Sequence, residues 1–219
     1  MSIINQETGN RFIVIIDEWD VLIRDEAQNQ NIQEAYIGLL RRMFKGIEPT
    51  KYMALAFLTG ILPIKKLKTQ SALNNFDEFT MLGSGNMAPY IGFTEEEVFD
   101  ALDEFEMSEK KEIVKEWYDG YQFGGCDVYC PWDVMNYFQD LKRNPDAKPI
   151  SYWKNTSDNA IIRSFIDQLG STISKKLEML MAGESIDQQI EENLTYDYLH
   201  SSEENFWSIL YLTGYLTCL

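Results

Sequence analysis

The chain has little positive charge: 19 Lys and Arg stand against 35 Asp and Glu, a formal net charge of −16 over 219 residues. So acidic a surface repels a phosphate backbone, which argues against broad nucleic-acid binding and leaves room only for a local basic patch. Histidine is nearly absent, with His200 alone beside three cysteines, Cys126, Cys130 and Cys218. One imidazole and a CxxxC pair fall short of the ligand set of a zinc site. An odd number of thiols cannot all pair, which points to a reducing cytoplasm. No apolar run reaches the ~18 residues needed to span a bilayer, and the polar opening Met1–Arg11 reads as no targeting signal. Also missing is any GxxxxGK followed by Ser or Thr; the loop Gly83-Ser84-Gly85-Asn86 has the wrong glycine spacing and no following lysine, and reads as a turn. What is present is globular: 45% hydrophobic residues with 12 Tyr, 12 Phe and 5 Trp, enough for a core in one large domain or two small ones.

The stretch FIVIIDEWD, Phe12 to Asp20, organises the rest. Five apolar residues, Phe12 to Ile16, predict a strand buried on both faces in a parallel sheet. Asp17, Glu18 and Asp20 follow, where an open parallel sheet places its ligands. This is the layout of a Walker B element, in which the first acid holds Mg2+ through water and the second orients or deprotonates the attacking water. A core strand running into an acidic turn has the same pattern.

Helical spacing of Ile32, Tyr36, Leu39, Leu40 and Met43 predicts a helix from about Glu26 to Phe44, stopped by Gly46 and Pro49. Tyr52 to Gly60 reads as a second strand, although its Met, Ala and Leu also suit a helix. Strand, helix, strand is one crossover unit of a parallel sheet. The second strand ends in Thr59, whose hydroxyl either senses a γ-phosphate or caps the strand. Lys65, Lys66 and Lys68 form the one dense basic cluster, either a phosphate-binding group or a solvated face. Thr94 and Glu97 spell a capping box for a helix from about Glu95 to Phe105, and Ser108 is placed to cap a second bearing Ile113, Val114 and Trp117. Trp117 to Gly125 predicts a structured turn leading to a short strand at Val128–Tyr129, and Pro131 opens a helix over Trp132–Leu141. Further helices are expected at about Asn159–Gln168, Ser171–Met181 and Glu203–Leu212, with Ser185–Leu194 open between strand and loop and a strand after Gly214.

The ordered blocks IDEWD, FLTGILPIKK, SALNNFDEF, GFTEEEV, WYDGYQF and YWKNTSDN resemble the predicted AAA-ATPase-like family of bacteria, a branch of the P-loop triphosphatases, across nearly the whole chain. The resemblance implies an α/β class: a partial AAA-like nucleotide-binding core at 1–92 with Walker B, then a mainly helical, winged-helix-like subdomain at 93–219. It implies Mg2+ and ATP as cofactors, with Asp17 and Glu18 as the Walker B pair, Asp17 on the metal, Thr59 in a sensor position, and Lys65 and Lys66 beside the phosphates. Members often carry an N-terminal segment with a GKS-type loop and a C-terminal domain resembling restriction nucleases. Only eleven residues precede the strand here, so the chain looks like the middle of that architecture, truncated on both sides. Without the loop's amides and lysine, nucleotide affinity is expected to be very low.

Two functions follow as expectations. One is an ATPase half-site completed by another chain; the alternative is a non-catalytic protein–protein interaction or regulatory module, with self-association or a protein partner covering exposed sheet edges. A nuclease site is not evident: no hairpin carries the spaced acids and lysine it requires.

Overall fold

The computed structural model describes residues 1–26, 29–61, 63–64, 73–153, 173–195 and 201–217. Lys65, Lys66 and Lys68, the expected helix at 159–168, His200 and Cys218 lie outside the described residues. The chain forms two compact units, Met1–Glu78 with Glu191–Asn205, and Phe79–Ile190 with Phe206–Leu219. The sequence reading divides the chain after residue 92; the units part at Glu78/Phe79, and residues 191–205 return to the first.

The first unit begins with α1 (Ser2–Thr8), closed by Gly9 at φ 72°, and leads into β1 (Phe12–Ile16). Short α2 (Val21–Asp25), α3 (Gln30–Phe44) and α4 (Ile47–Tyr52) carry the chain to β2 (Met53–Leu58). β1 and β2 pair in parallel, with Ile13 opposite Leu55 and Ile16 opposite Leu58. The crossover is therefore present, but the expectation that β1 is buried on both faces is corrected. Phe12, Val14 and Ile16 turn inward, whereas Ile13 and Ile15 are 63% and 71% exposed, beside the exposed Leu55 and Phe57. Alternation with a period of two sends successive side chains to opposite faces, and no described element covers the outer one. The inner face packs with Trp19, Ile23, Ile37, Leu40, Phe44, Ile64 and Leu73.

In α3 the buried residues are Gln33, Ile37, Leu40 and Phe44; of the expected stripe, Leu40 is buried, Tyr36 and Met43 pack partly buried against the same core, and Ile32 and Leu39 are exposed. One residue of the buried stripe, Gln33, is polar. The Gln33 amide donates to the carbonyls of Ile23 (3.3 Å) and Glu26 (3.0 Å), which satisfies it inside the core. The Asn29 side chain caps α3 by accepting the Ile32 N–H, and Pro49 lies inside the first turn of α4, where a missing N–H costs nothing, instead of ending a helix.

In the second unit, β3 (Phe93–Thr94) leads into α5 (Glu95–Glu104), and α6 (Lys111–Tyr118) into β4 (Asp119–Phe123), β5 (Cys126–Tyr129) and α7 (Pro131–Arg143). The sheet order is β3–β5–β4, antiparallel throughout. The capping box forms as expected: Thr94 Oγ1 accepts from the Glu97 N–H, and the Glu97 carboxylate accepts from the Thr94 N–H at 2.9 Å. Ser108 does not cap a helix; its hydroxyl donates to Asp103 at 2.6 Å, and a 3-10 turn over Ser108–Lys110 precedes α6. What reads in sequence as a turn before a short strand is a hairpin. Gly124 and Gly125, at φ 54° and 92°, supply the two left-handed residues of its turn, and β4 pairs with β5 from Phe123 opposite Cys126 to Asp119 opposite Tyr129, with a register irregularity between Asp119 and Tyr121.

The core of this unit holds Val98, Leu102, Val114, Tyr118, Tyr129, Val134, Tyr137, Phe138 and Leu141. Tyrosines in and against this core keep their hydroxyls bonded: buried Tyr118 donates to the Ile150 carbonyl (2.9 Å) and partly buried Tyr152 to Asp140 (2.7 Å). Residues 173–181 are helical (α8), Ser185–Leu194 forms no strand, and α9 (Glu203–Leu212) is followed by a turn in which Gly214 sits at φ 80°. Residues 215–217 form no strand, which corrects the expected strand after Gly214 within the described residues.

Candidate acidic site at the end of β1

β1 and β2 run in the same direction, so their carboxyl ends meet at one edge of the first unit, the position where open parallel sheets take ligands. Asp17, Glu18 and Thr59 come together there. The Thr59 hydroxyl donates to Asp17 Oδ1 and accepts the Glu18 N–H at 3.1 Å. Backbone bonds extend the same clamp: Thr59 N–H to the Ile16 carbonyl at 3.0 Å and Trp19 N–H to the Thr59 carbonyl at 2.8 Å. Thr59 therefore does more than cap a strand. It ties the acidic turn of β1 to the end of β2.

Glu18 sits at φ 50°, a left-handed conformation that costs a non-glycine residue about 1–2 kcal/mol. The clamp by Thr59 on either side of its peptide holds it there, and strain of this kind concentrates at functional sites. Its carboxylate forms an ion pair with Arg24 of α2. Sequence reasoning missed Arg24, because a residue six positions away across the start of a short helix has no spacing signature.

Asp20, the third acid of the motif, plays a different part. It is fully buried, and its Oδ2 accepts the Ile61 N–H at 2.9 Å, so it pins the chain just after β2 instead of facing a ligand. Trp19 is buried beside it, and the Tyr36 hydroxyl donates to the Trp19 carbonyl at 2.7 Å. Burial, with Asp20 nearby, pushes the Tyr36 hydroxyl above its ordinary pKa, so it remains a donor throughout the physiological range. Gly60 closes the arrangement: a Cβ there would lie 2.4 Å from Trp19 Nε1 and 3.2 Å from Asp20 Cγ. The FLTG and DEWD segments are thus two halves of one packed corner.

The exposed donors are hard oxygens: the Asp17 and Glu18 carboxylates and the Thr59 hydroxyl. Among the described residues no group of three or more His, Cys, Asp or Glu is placed to hold a metal ion. This donor set fits Mg2+, which keeps several waters and takes one or two carboxylates together with phosphate oxygens, and does not fit an all-protein cage. Cys126 and Cys130 lie at the two ends of one extended segment, about 13 Å apart at the strand rise, beyond disulfide reach. Among the described residues no helix is long and apolar enough to cross a membrane.

A curated relative, an uncharacterized protein in the vnfD 5′ region of Azotobacter chroococcum mcd 1, is 26% identical over 180 residues, covering 81% of this chain and 33% of that protein. The chain thus spans about a third of the length of the curated relative it matches. No solved structure matches. Residues 1–69, which carry β1, β2 and the acidic corner between them, match the model of the family described as predicted AAA-ATPase.

Proposed function

We propose that the corner formed by Asp17, Glu18 and Thr59 is the Walker B half of a Mg-ATP site on an AAA-type P-loop core. The observation that carries this reading is the Thr59 hydroxyl joining Asp17 to the Glu18 peptide at the carboxyl ends of two parallel strands. Asp17 would hold Mg2+ through water, and the ion when bound would neutralise charge developing on the phosphate oxygens. Glu18 would orient the attacking water and take its proton, and Thr59 would contact the γ-phosphate side of the site. The phosphate cradle is not among these 219 residues, since no GxxxxGK motif occurs in them; Lys65 and Lys66 would add positive charge, and the remaining amides would come from further polypeptide. On this reading the chain is the middle part of a longer ATPase architecture, and free Cys126 and Cys130 support a reducing, cytoplasmic setting.

The order β3, α5, α6, β4, glycine turn, β5, with sheet order β3–β5–β4, supports a winged-helix reading of the second unit. The α6 lysines Lys111 and Lys115 are engaged by Asp103 and Glu95, which supports a protein-facing use over nucleic-acid binding. Calorimetric titration with Mg-ATP, run beside Asp17→Ala, tests the nucleotide reading. Heat that vanishes in the variant supports it, and no heat at millimolar nucleotide overturns it for this chain.

One observation favours a second reading, the non-catalytic interaction module. Ile13, Ile15, Leu55 and Phe57 expose a contiguous apolar face on a two-stranded sheet, and both strands have an unpaired edge among the described residues. Self-association or a protein partner would cover it. Sedimentation velocity should then show concentration-dependent association that Ile15→Lys abolishes; a monomer at all concentrations removes the self-association form of this reading.

A further inference from the structure

We infer that the face of α6 and α7 carrying Tyr118, Trp132, Asp133, Tyr137 and Asp140 is a peptide-recognition groove, held closed by the chain's own residues 147–152. Its partner in trans is an extended protein segment of the same pattern: a small residue, any residue, proline, any two residues, tyrosine. The inference concerns the second unit alone and goes beyond the nucleotide reading of the acidic corner.

It starts from the way this stretch is held. From Lys148 to Tyr152 the backbone makes no hydrogen bond to other backbone among the described residues; side chains of α6 and α7 hold it instead. The Tyr137 hydroxyl donates to the Ala147 carbonyl at 3.1 Å. The Tyr118 hydroxyl donates to the Ile150 carbonyl at 2.9 Å and accepts the Ile150 N–H at 3.1 Å, so one side chain takes both polar groups of one residue, as a neighbouring strand does. Asp133 accepts the Tyr152 N–H at 3.1 Å, the Trp132 indole N–H donates to the Tyr152 carbonyl at 3.2 Å, and Asp140 accepts the Tyr152 hydroxyl at 2.7 Å. Asp133, Tyr137 and Asp140 are four and three residues apart on α7, which lines them along one face.

The present occupant shows what the groove selects. Pro149 is buried, Ala147 and Tyr152 pack partly buried against the core, and Lys148, Ile150 and Ser151 are exposed. The inward positions therefore take a small residue, a proline and a tyrosine, and Ile150 is recognised by its backbone. Proline fixes its own φ and keeps the residue before it extended, so such a segment gives up little entropy on docking. Aromatic side chains that line a groove suit extended, proline-containing peptides. Burial holds the Tyr118 hydroxyl above its ordinary pKa, so it remains a donor throughout the physiological range. Residues 147–152 belong to no helix or strand, so releasing them interrupts none. A competing segment displaces them by taking over the same bonds.

The test is fluorescence anisotropy of a labelled synthetic peptide copying residues 146–153, titrated with the full chain. In wild type the tethered segment competes at an effective concentration on the order of millimolar, so the peptide binds weakly. Tyr152→Ser strips the tethered segment of its ring and its bond to Asp140 but leaves the groove, and should tighten peptide binding about tenfold or more. Adding Tyr118→Phe removes both bonds to Ile150 and should weaken binding again by about tenfold, and a peptide carrying Pro149→Gly should lose affinity likewise. No binding by folded Tyr152→Ser, or binding that ignores Tyr118→Phe, overturns the inference. Native-state hydrogen exchange of wild type gives a check that needs no variant. The Ile150 and Tyr152 amides should exchange together through an opening that leaves α6 and α7 protected; exchange of these amides only with global unfolding makes the segment a fixed part of the core and overturns the groove.

Discussion

Gly60→Ala is the substitution that probes the packed corner most directly. A Cβ at this position would stand 2.4 Å from Trp19 Nε1, 2.5 Å from Trp19 Cδ1 and 3.2 Å from Asp20 Cγ. Carbon contacts settle at about 3.5–4.0 Å, so roughly 1 Å of overlap must be relieved. Trp19 cannot simply swing away. It is 3% exposed, packed in the core beneath the sheet, and its backbone is bonded to Thr59 and Tyr36. Overpacking of a rigid site costs about 1–3 kcal/mol, which for a protein of this size is a fall in melting temperature of about 2–12 °C. Gly38 supplies an internal control. It lies in the middle of α3 with only the flexible end of Arg42 near, at 3.4 Å, so Gly38→Ala should raise stability by about 0.5–1 kcal/mol through the lower helix cost of alanine.

The assay is urea unfolding followed by far-ultraviolet circular dichroism, with the Trp19 indole N–H resonance, assigned by its loss in Trp19→Phe, as a local probe. Gly60→Ala should shift that resonance and abolish any Asp17-dependent Mg-ATP heat, because Thr59 and Asp20 move with the indole. In a double-mutant cycle, Trp19→Phe should relieve part of the cost and give a coupling of about 1 kcal/mol. If Gly60→Ala and Gly38→Ala have the same sign, or if the cycle shows no coupling, the reasoning that joins the FLTG and DEWD segments fails.

Further outcomes follow from single contacts. Thr59→Val removes a hydroxyl that serves both Asp17 and the Glu18 peptide, and should cost about 0.5–1.5 kcal/mol, with faster hydrogen exchange at the Glu18 amide, while Thr59→Ser should cost less than half as much. Glu106 at φ 57° ends α5, with its N–H bonded to the Asp103 carbonyl and the Met107 N–H to the Leu102 carbonyl, the geometry that usually carries glycine; Glu106→Gly should stabilise by about 0.5–1 kcal/mol, read from the urea midpoint. Asp119 has its pKa raised by burial and by neighbouring Asp127, so the folded state holds its proton to higher pH than the unfolded state does. That contribution is fully present below about pH 3.9 and is lost as pH rises through the folded value. Asp119→Asn should therefore be more stable than wild type at neutral pH and remove this part of the pH dependence.

Much of the chain follows local rules, and those parts were legible. β1 occupies Phe12–Ile16 as its apolar run predicts, and the Thr94–Glu97 capping box starts α5 where its residues say. Pro131 opens α7, and α9 runs over Glu203–Leu212 as read. Asp17, Glu18 and Thr59 are drawn together as the motif implies, because a crossover unit returns its second strand beside the first. The misses have physical causes of a different kind. Ile32 and Leu39 stay exposed while Gln33, a polar residue, finds two carbonyl acceptors in the core; β4 hides behind aromatics and glycines until it pairs with β5; and Ser108 turns to Asp103.

The sequence by itself determined the elements and the chemistry on offer: an apolar strand ending in Asp17 and Glu18, a polar stop at Thr59, and a surplus of acid. Periodicity, caps and turn residues act over a few positions, so they can be read without the fold. The tertiary structure alone decided which faces are buried and which side chains meet across long separations. It left Ile13 and Ile15 exposed, turned Asp20 inward to Ile61, laid Trp19 over Gly60 and set Arg24 against Glu18. These choices depend on how β1, α2, α3 and β2 pack together, and packing is settled by shape and hydrogen-bond satisfaction over the whole unit.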